Sequence, residues 1–158
     1  MAAKPIIFCI DDDPQVLSAI TRDLRYQYSN QFRILRAASG LAVLETLAEL
    51  QQRQGTVALF LTDQQMPYLS GIEFLTQVRQ LYPDAKRALL TAYAESNAVL
   101  AALQSSIIEQ YLLKPWDPPE EALYPALNAL LDDWQSAICP AIVDPELLET
   151  TLSARHLG

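Results

Sequence analysis

The sequence predicts a doubly wound α/β domain, a five-stranded parallel sheet with helices on both faces. Three observations predict it. Five short apolar runs alternate with segments of helical periodicity. The central runs are continuously apolar, as strands covered on two faces require. Four runs end in polar anchors: Asp11 and Asp12, then Asp63, then Thr91, then Lys114 with Pro115. Strand carboxyl ends converge at one edge of such a sheet, so the topology gathers these residues at a single site.

The elements follow in order. Pro5 to Ile10 is an apolar run closed by acid, and reads as the first strand. Asp13 is placed to cap the next helix, with Pro14 at its first position and Val16, Leu17, Ile20 and Leu24 on one face. Phe32 to Ala37 carries Arg33 and Arg36, which places this second strand at an edge. Ser39 caps a helix running to about residue 54, stopped by Gly55. Val57 to Thr62 is the third strand and the most apolar. A loop with Met66 and Pro67 leads to a helix from about Ile72 to Tyr82, ended by Pro83. Lys86 to Thr91 is the fourth strand, Glu95 to about Ser105 the fourth helix, and Gln110 to Leu113 the fifth strand. The last long helix is expected from Pro118 and Pro119 to about Ser136.

The domain is assigned to residues 1–137, and residues 138–158 to a C-terminal extension or linker. In that extension Asp144 can cap a short helix from Pro145, with Leu147, Leu148 and Leu152 as a narrow apolar stripe. The 158 residues are enough for one domain with a full core. Hydrophobic residues at 51% and charged residues at 19% are the balance of a folded chain. A formal charge of −8 and no Lys/Arg-rich run disfavour direct binding to nucleic acid or an anionic membrane. No stretch is apolar and long enough to span a bilayer, and the run before Asp11 is too short for a signal peptide. Cys9 falls inside a strand and Cys139 near the tail, which reads as two reduced thiols and a cytoplasmic location.

The anchors describe a metal-assisted phosphoryl-acceptor site. Asp11, Asp12 and Asp63 repel one another unless a cation joins them. Hard oxygen donors without nearby His or Cys favour Mg²⁺ over zinc. Asp63 can attack phosphorus to form an acyl phosphate, provided that positive charge screens the two anions. Lys114 is a compact charge suited to a phosphoryl oxygen. Pro115 after it implies a fixed turn that admits a cis bond. Thr91, beside the small Ala92, offers a hydroxyl. Tyr111 could turn inward as Thr91 moves, although a half-buried strand tyrosine is the simpler reading of that residue alone.

These residues resemble the receiver domain of bacterial two-component response regulators, a flavodoxin-like fold, over roughly residues 5–137. The match is carried by Asp11 and Asp12, by Asp63 with Met66, Pro67 and Gly71, by Thr91 and Ala92, and by Tyr111 with Lys114 and Pro115. The resemblance implies that Asp63 accepts a phosphoryl group from a sensor histidine kinase or phosphotransfer protein. It implies Mg²⁺ ligation by Asp12 and Asp63, by Asp11 through water, and by the backbone carbonyl of Gln65. It implies that Lys114 pairs with the acceptor, and that Thr91 and Tyr111 switch the face made by the fourth helix, fifth strand and fifth helix. That face then meets an output domain, a partner protein or a second copy. Gln64, Gln65 and Tyr93 are departures that lead to an expectation of slow acyl-phosphate hydrolysis. The apolar run Ala98 to Leu103 on the fourth helix points to a protein interface.

Other readings use part of the pattern. A phosphohydrolase resembling the haloacid dehalogenase family needs an acid two residues after its nucleophile, where this chain has Gln65. An FMN-binding flavodoxin-like module would meet repulsion from Asp11, Asp12 and Asp13. A receiver fold that takes no phosphate could serve as an interaction or dimer module. The stretch Lys114 to Glu120 looks like receivers that open larger proteins, some fused to flavin-dependent, thioredoxin-reductase-like oxidoreductases. No G-x-G-x-x-G occurs in the chain, and the tail after Ala137 is too short for a helix-turn-helix unit.

Overall fold

The computed structural model describes residues 4–92 and 96–138. Ten elements alternate: β1 (Ile6–Ile10), α1 (Pro14–Tyr28), β2 (Arg33–Ala37), α2 (Gly40–Gln52), β3 (Val57–Thr62), α3 (Gly71–Leu81), β4 (Lys86–Thr91), α4 (Asn97–Gln104), β5 (Gln110–Leu113) and α5 (Leu123–Ile138). The sheet is parallel, in the order β2-β1-β3-β4-β5. The strand order therefore reverses between β1 and β3, and this crevice is where ligands bind in open α/β sheets.

Side-chain alternation sorts the core into two layers. Ile7 and Cys9 of β1 share one layer with Ile20 and Leu24 of α1 and with Leu127 and Leu131 of α5. Ile6, Phe8 and Ile10 face the other way and pack with α2, α3 and α4 through Val43, Leu47, Phe74, Val78 and Val99. Phe60 stacks on Phe8 with ring centroids 5.5 Å apart and meets Phe74 edge-on. β1 and β3 are buried throughout, whereas β2 carries exposed arginines at the sheet edge. The expected fold class and the edge position of β2 both hold.

Local chemistry sets the helix starts. Asp13 caps α1, its carboxylate accepting from the N–H groups of Gln15 and Val16, with Pro14 at the first position. Ser39 caps α2 and Ser96 caps α4. At α3 a reciprocal capping box joins Ser70 and Glu73, and starts the helix at Gly71, one residue before the Ile72 expected from sequence.

Two expectations need correction. α2 ends at Gln52, short of the expected stop at Gly55, and the left-handed residue that follows it is Gln54, at φ 58. Gly55 is instead pressed against Leu50, whose carbonyl accepts its N–H at 2.9 Å. The last helix begins at Leu123, not at Pro118 or Pro119. Pro125 lacks an N–H and is tolerated only within a first turn. A helix starting at Pro119 would place it in the interior. Residues 118–122 form turns instead, with Glu121 N–H donating to the Pro118 carbonyl and Tyr124 N–H to that of Pro119. The short helix expected from Pro145, Cys139, and the neighbourhood of Tyr93 lie outside the described residues. Among the described residues no helix is long and apolar enough to cross a membrane.

Candidate functional site

β1 and β3 lie side by side, so Asp11 and Asp63 follow adjacent strand ends, and Asp63 N–H donates to the Ile10 carbonyl at 2.9 Å. Asp11, Asp12 and Asp63 bring carboxylate oxygens within 4.8 Å of one another. They line a cleft of about 290 Å³ with Asp13, Gln65, Ala92 and Lys114. Lys114 Nζ reaches across from the end of β5, 2.8 Å from Asp11 Oδ2 and 3.2 Å from Asp63 Oδ1. Its backbone N–H donates to the Thr91 carbonyl at 3.0 Å, which ties the ends of β4 and β5 together. The Lys114–Pro115 bond is cis, as is Asp117–Pro118.

Backbone N–H groups hold two of the carboxylates, Asp11 and Asp63. Asp11 Oδ1 accepts the N–H of Asp13 at 2.9 Å, within the turn that leads into α1. Asp63 Oδ1 accepts the N–H of Gln64 at 2.9 Å. Asp11 and Asp63 are buried, while Asp12 is exposed to the cleft. Burial pushes the Asp63 carboxyl above the usual carboxylate range, and the nearby Asp11 charge adds to this; Lys114 and the Gln64 N–H oppose it without cancelling it. Burial alone would lower the Lys114 ammonium, but its hydrogen bond and charge interaction with Asp11, and then with Asp63, hold it above its ordinary value. Lys114 is thus a fixed cation inside an acidic cleft that keeps an excess of negative charge.

That excess is the test of a metal's fit. Three hard oxygen donors converge, one ammonium does not neutralise them, and no soft donor lies among the lining residues. The donor chemistry suits a small divalent cation such as Mg²⁺, with Asp11, Asp12, Asp63 and the Gln65 carbonyl as the candidate holders.

The remaining sequence candidates divide. Thr91 is buried at the end of β4, next to the strand ends that carry Asp63 and Lys114. Tyr111 does not line the acidic cleft. It is half-buried on β5 and lines a separate groove of about 640 Å³ with Leu103, Leu113 and Trp116. On α4, Val99 and Ala102 cover the sheet, while Leu100 is exposed, so only part of the apolar run is available to a partner. Gln64 does not face the cleft as a water-tuning residue. Its side-chain oxygen accepts the Ile72 N–H at 2.8 Å, and its carbonyl accepts the Gly71 N–H at 3.0 Å, so it clips α3 to the acceptor strand.

The geometry gives two residues a positioning role. A side chain at Gly71 would overlap the Asp63 carbonyl and touch Leu89, so α3 approaches the acceptor only because residue 71 has no Cβ. Asp13 lines the cleft as well as capping α1, a double role that its position in a run of three aspartates leaves open.

Comparison with known proteins bears on the family and the fold. The sequence signature described as the response regulator receiver domain matches residues 7–124. A hydrogenase transcriptional regulatory protein, HoxA of Bradyrhizobium diazoefficiens, is 34% identical over 120 residues, covering 76% of this chain and 23% of that protein. The chain therefore spans about a quarter of that relative's length. The signal receiver domain of an HD domain-containing protein from Pseudomonas fluorescens superposes with a TM-score of 0.72 at 26% identity, covering 87% of this chain and 93% of that one. Response regulator protein TrrA of Thermotoga maritima, solved in complex with Mg²⁺ and BeF, superposes with a TM-score of 0.63 at 26% identity, covering 80% of this chain and 99% of that one.

Proposed function

Because the chain belongs to the response regulator receiver domain family, a class of phosphorylation-based signalling modules, we propose that Asp63 is its phosphoacceptor and that Mg²⁺ assists the transfer. The observation that carries this reading is the Lys114 ammonium bridging Asp11 and Asp63 at the crevice between β1 and β3. The complex of the relative TrrA with Mg²⁺ and BeF supports the choice of cation.

In this reading Asp63 attacks the phosphorus of a phosphohistidine on a sensor kinase or phosphotransfer protein. An O–P bond forms as the P–N bond breaks, and the imidazole keeps the electron pair and takes up a proton. A bound Mg²⁺ supplies charge neutralisation of the phosphoryl oxygens and the facing carboxylates. Asp11, Asp12 and Asp63, with the Gln65 carbonyl, would hold it. Lys114, already charged and aimed at Asp63, moves its contact to a phosphoryl oxygen as the product forms. Gln64 N–H and the Lys114 ammonium both meet Asp63 Oδ1, which fixes the acceptor carboxylate. The Thr91 hydroxyl turns toward the phosphoryl group, and Tyr111 answers by repacking on β5.

The output is read on the face made by α4, β5 and α5, which carries the Tyr111 groove, with exposed Leu113 in its lining, and exposed Leu100 of α4. An output domain or a second copy would meet that face. The test is incubation with Mg²⁺ and phosphoramidate followed by intact mass. One phosphoryl group is expected on the native chain and none on Asp63→Asn; uptake that survives this substitution would refute the assignment.

A further inference from the structure

We propose that Asp23, remote from the acidic cleft, is a positioning residue for Lys114 and acts through the indole of Trp116. The proposal rests on the role assigned to Lys114 in phosphoryl transfer and adds the device that holds it in place.

Asp23 lies on the inward side of α1 and is 8% exposed, an unusual place for a carboxylate. Burying it is costly unless a donor meets it. The donor is Trp116 Nε1, 2.7 Å from Asp23 Oδ2. Arg22 reaches the other oxygen only at 3.5 Å and is itself largely exposed, so it compensates little. An indole nitrogen can only donate, and a carboxylate can only accept, so each group is the partner the other requires. Tyr124 OH adds a bond to the Asp23 carbonyl at 2.8 Å, which joins the start of α5 to the same turn of α1.

Packing alone does not explain the pair, because two apolar side chains would fill the same space. What the hydrogen bond adds is direction. It fixes the indole, and the indole belongs to the residue two after Lys114. Lys114 is held on its other side by its backbone bond to Thr91. The short turn Lys114–Pro115–Trp116 is therefore clamped at both ends, to β4 and to α1. The same helix begins at the Asp11–Asp13 turn, about 15 Å along its axis from Asp23. α1 thus carries the anchor that aims Lys114, and its start follows directly on the turn whose Asp11 receives the ammonium. A shift of roughly 1 Å in the ammonium is enough to slow a reaction that depends on alignment.

The test combines two readouts. Lys114 is one of only three lysines, with Lys4 and Lys86, so ¹³C-lysine labelling gives a readily assigned spectrum. A clamped Lys114 shows two resolved geminal Hε signals in the metal-free protein. In Trp116→Phe and in Asp23→Leu these merge toward the averaged shift of a free lysine, while Asp23→Asn, which keeps an acceptor, retains the splitting. Amide signals of α2, which packs on the opposite face of the sheet, stay in place. The second readout is phosphorylation by phosphoramidate, expected to slow about tenfold in Trp116→Phe with Mg²⁺ half-saturation changed less than about twofold, because the carboxylates are untouched. An unchanged Lys114 pair in Trp116→Phe overturns the proposal, as does a general loss of dispersion that includes α2. A merged Lys114 pair with an unaltered phosphorylation rate leaves the clamp standing and overturns instead the role given to Lys114.

Discussion

Gly71 lies directly against Asp63: a Cβ at residue 71 would occupy the space of the Asp63 carbonyl oxygen, with Leu89 closing the other side. The obstacle is backbone, which cannot swing away as a side-chain tip can. Gly71→Ala is therefore expected to push α3 from β3, cost about 2–3 kcal/mol, and displace the acceptor. Urea unfolding should show the lower midpoint, and phosphorylation should fall with it.

Asp63 is expected to lower stability for the sake of function. Its folded-state pKa is raised, chiefly by burial and then by Asp11. The sign follows from linkage: keeping this group ionised in the fold is a cost, fully present above the raised pKa and gone once pH falls below the unfolded value near 4. Asp63→Asn should raise the thermal midpoint at neutral pH in metal-free buffer by about 2–5 °C. The gain should vanish on acidification, and shrink when Mg²⁺ is added to the native chain. Paired thermal melts between about pH 3.5 and 7.5 measure it, a range that spans the unfolded carboxylate value.

Much of this site is legible before any coordinates. The strand ends announce Asp11, Asp63, Thr91 and Lys114 because short apolar runs in a parallel sheet are hard to mistake, and the topology then collects them. Asp13 and Pro14 announce α1 by local hydrogen bonding alone. What stays hidden depends on distance in sequence or on competing local signals. Asp23 and Trp116 are 93 residues apart and share no periodic pattern. The start of α5 is obscured because Pro118 and Pro119 look like a helix opening, and only Pro125 further along decides against it. Gln54 takes the left-handed turn that a glycine next to it would ordinarily supply.

Lys114→Ala separates charge from catalysis. Removing the ammonium from an acidic cleft should tighten Mg²⁺ binding by roughly threefold to tenfold, since a competing positive charge is gone. Phosphorylation should nonetheless slow by about tenfold or more. Fluorescence titration and phosphoramidate kinetics on the same preparation give both numbers. Equal loss of metal affinity and rate would mean that Lys114 serves only to hold the carboxylates in place.

Arg87 is the principal buried cation away from the site among the described residues. Its guanidinium donates to the carbonyls of Ala85, Ile107 and Ser106, and pairs with Glu109 at 2.9 Å. Methionine could fill the stem but would leave those acceptors without a donor. Arg87→Met is expected to cost about 3–5 kcal/mol, and chemical denaturation should report it. Phosphorylation chemistry should survive in the fraction that stays folded.

The most direct measurement is chemical marking of the acceptor. Borohydride converts an aspartyl phosphate to homoserine, and peptide mass mapping then locates it. After treatment with Mg²⁺ and phosphoramidate, homoserine is predicted at residue 63 alone. Homoserine at residue 11 or 12, or a phosphorylated chain that yields none, would contradict the account.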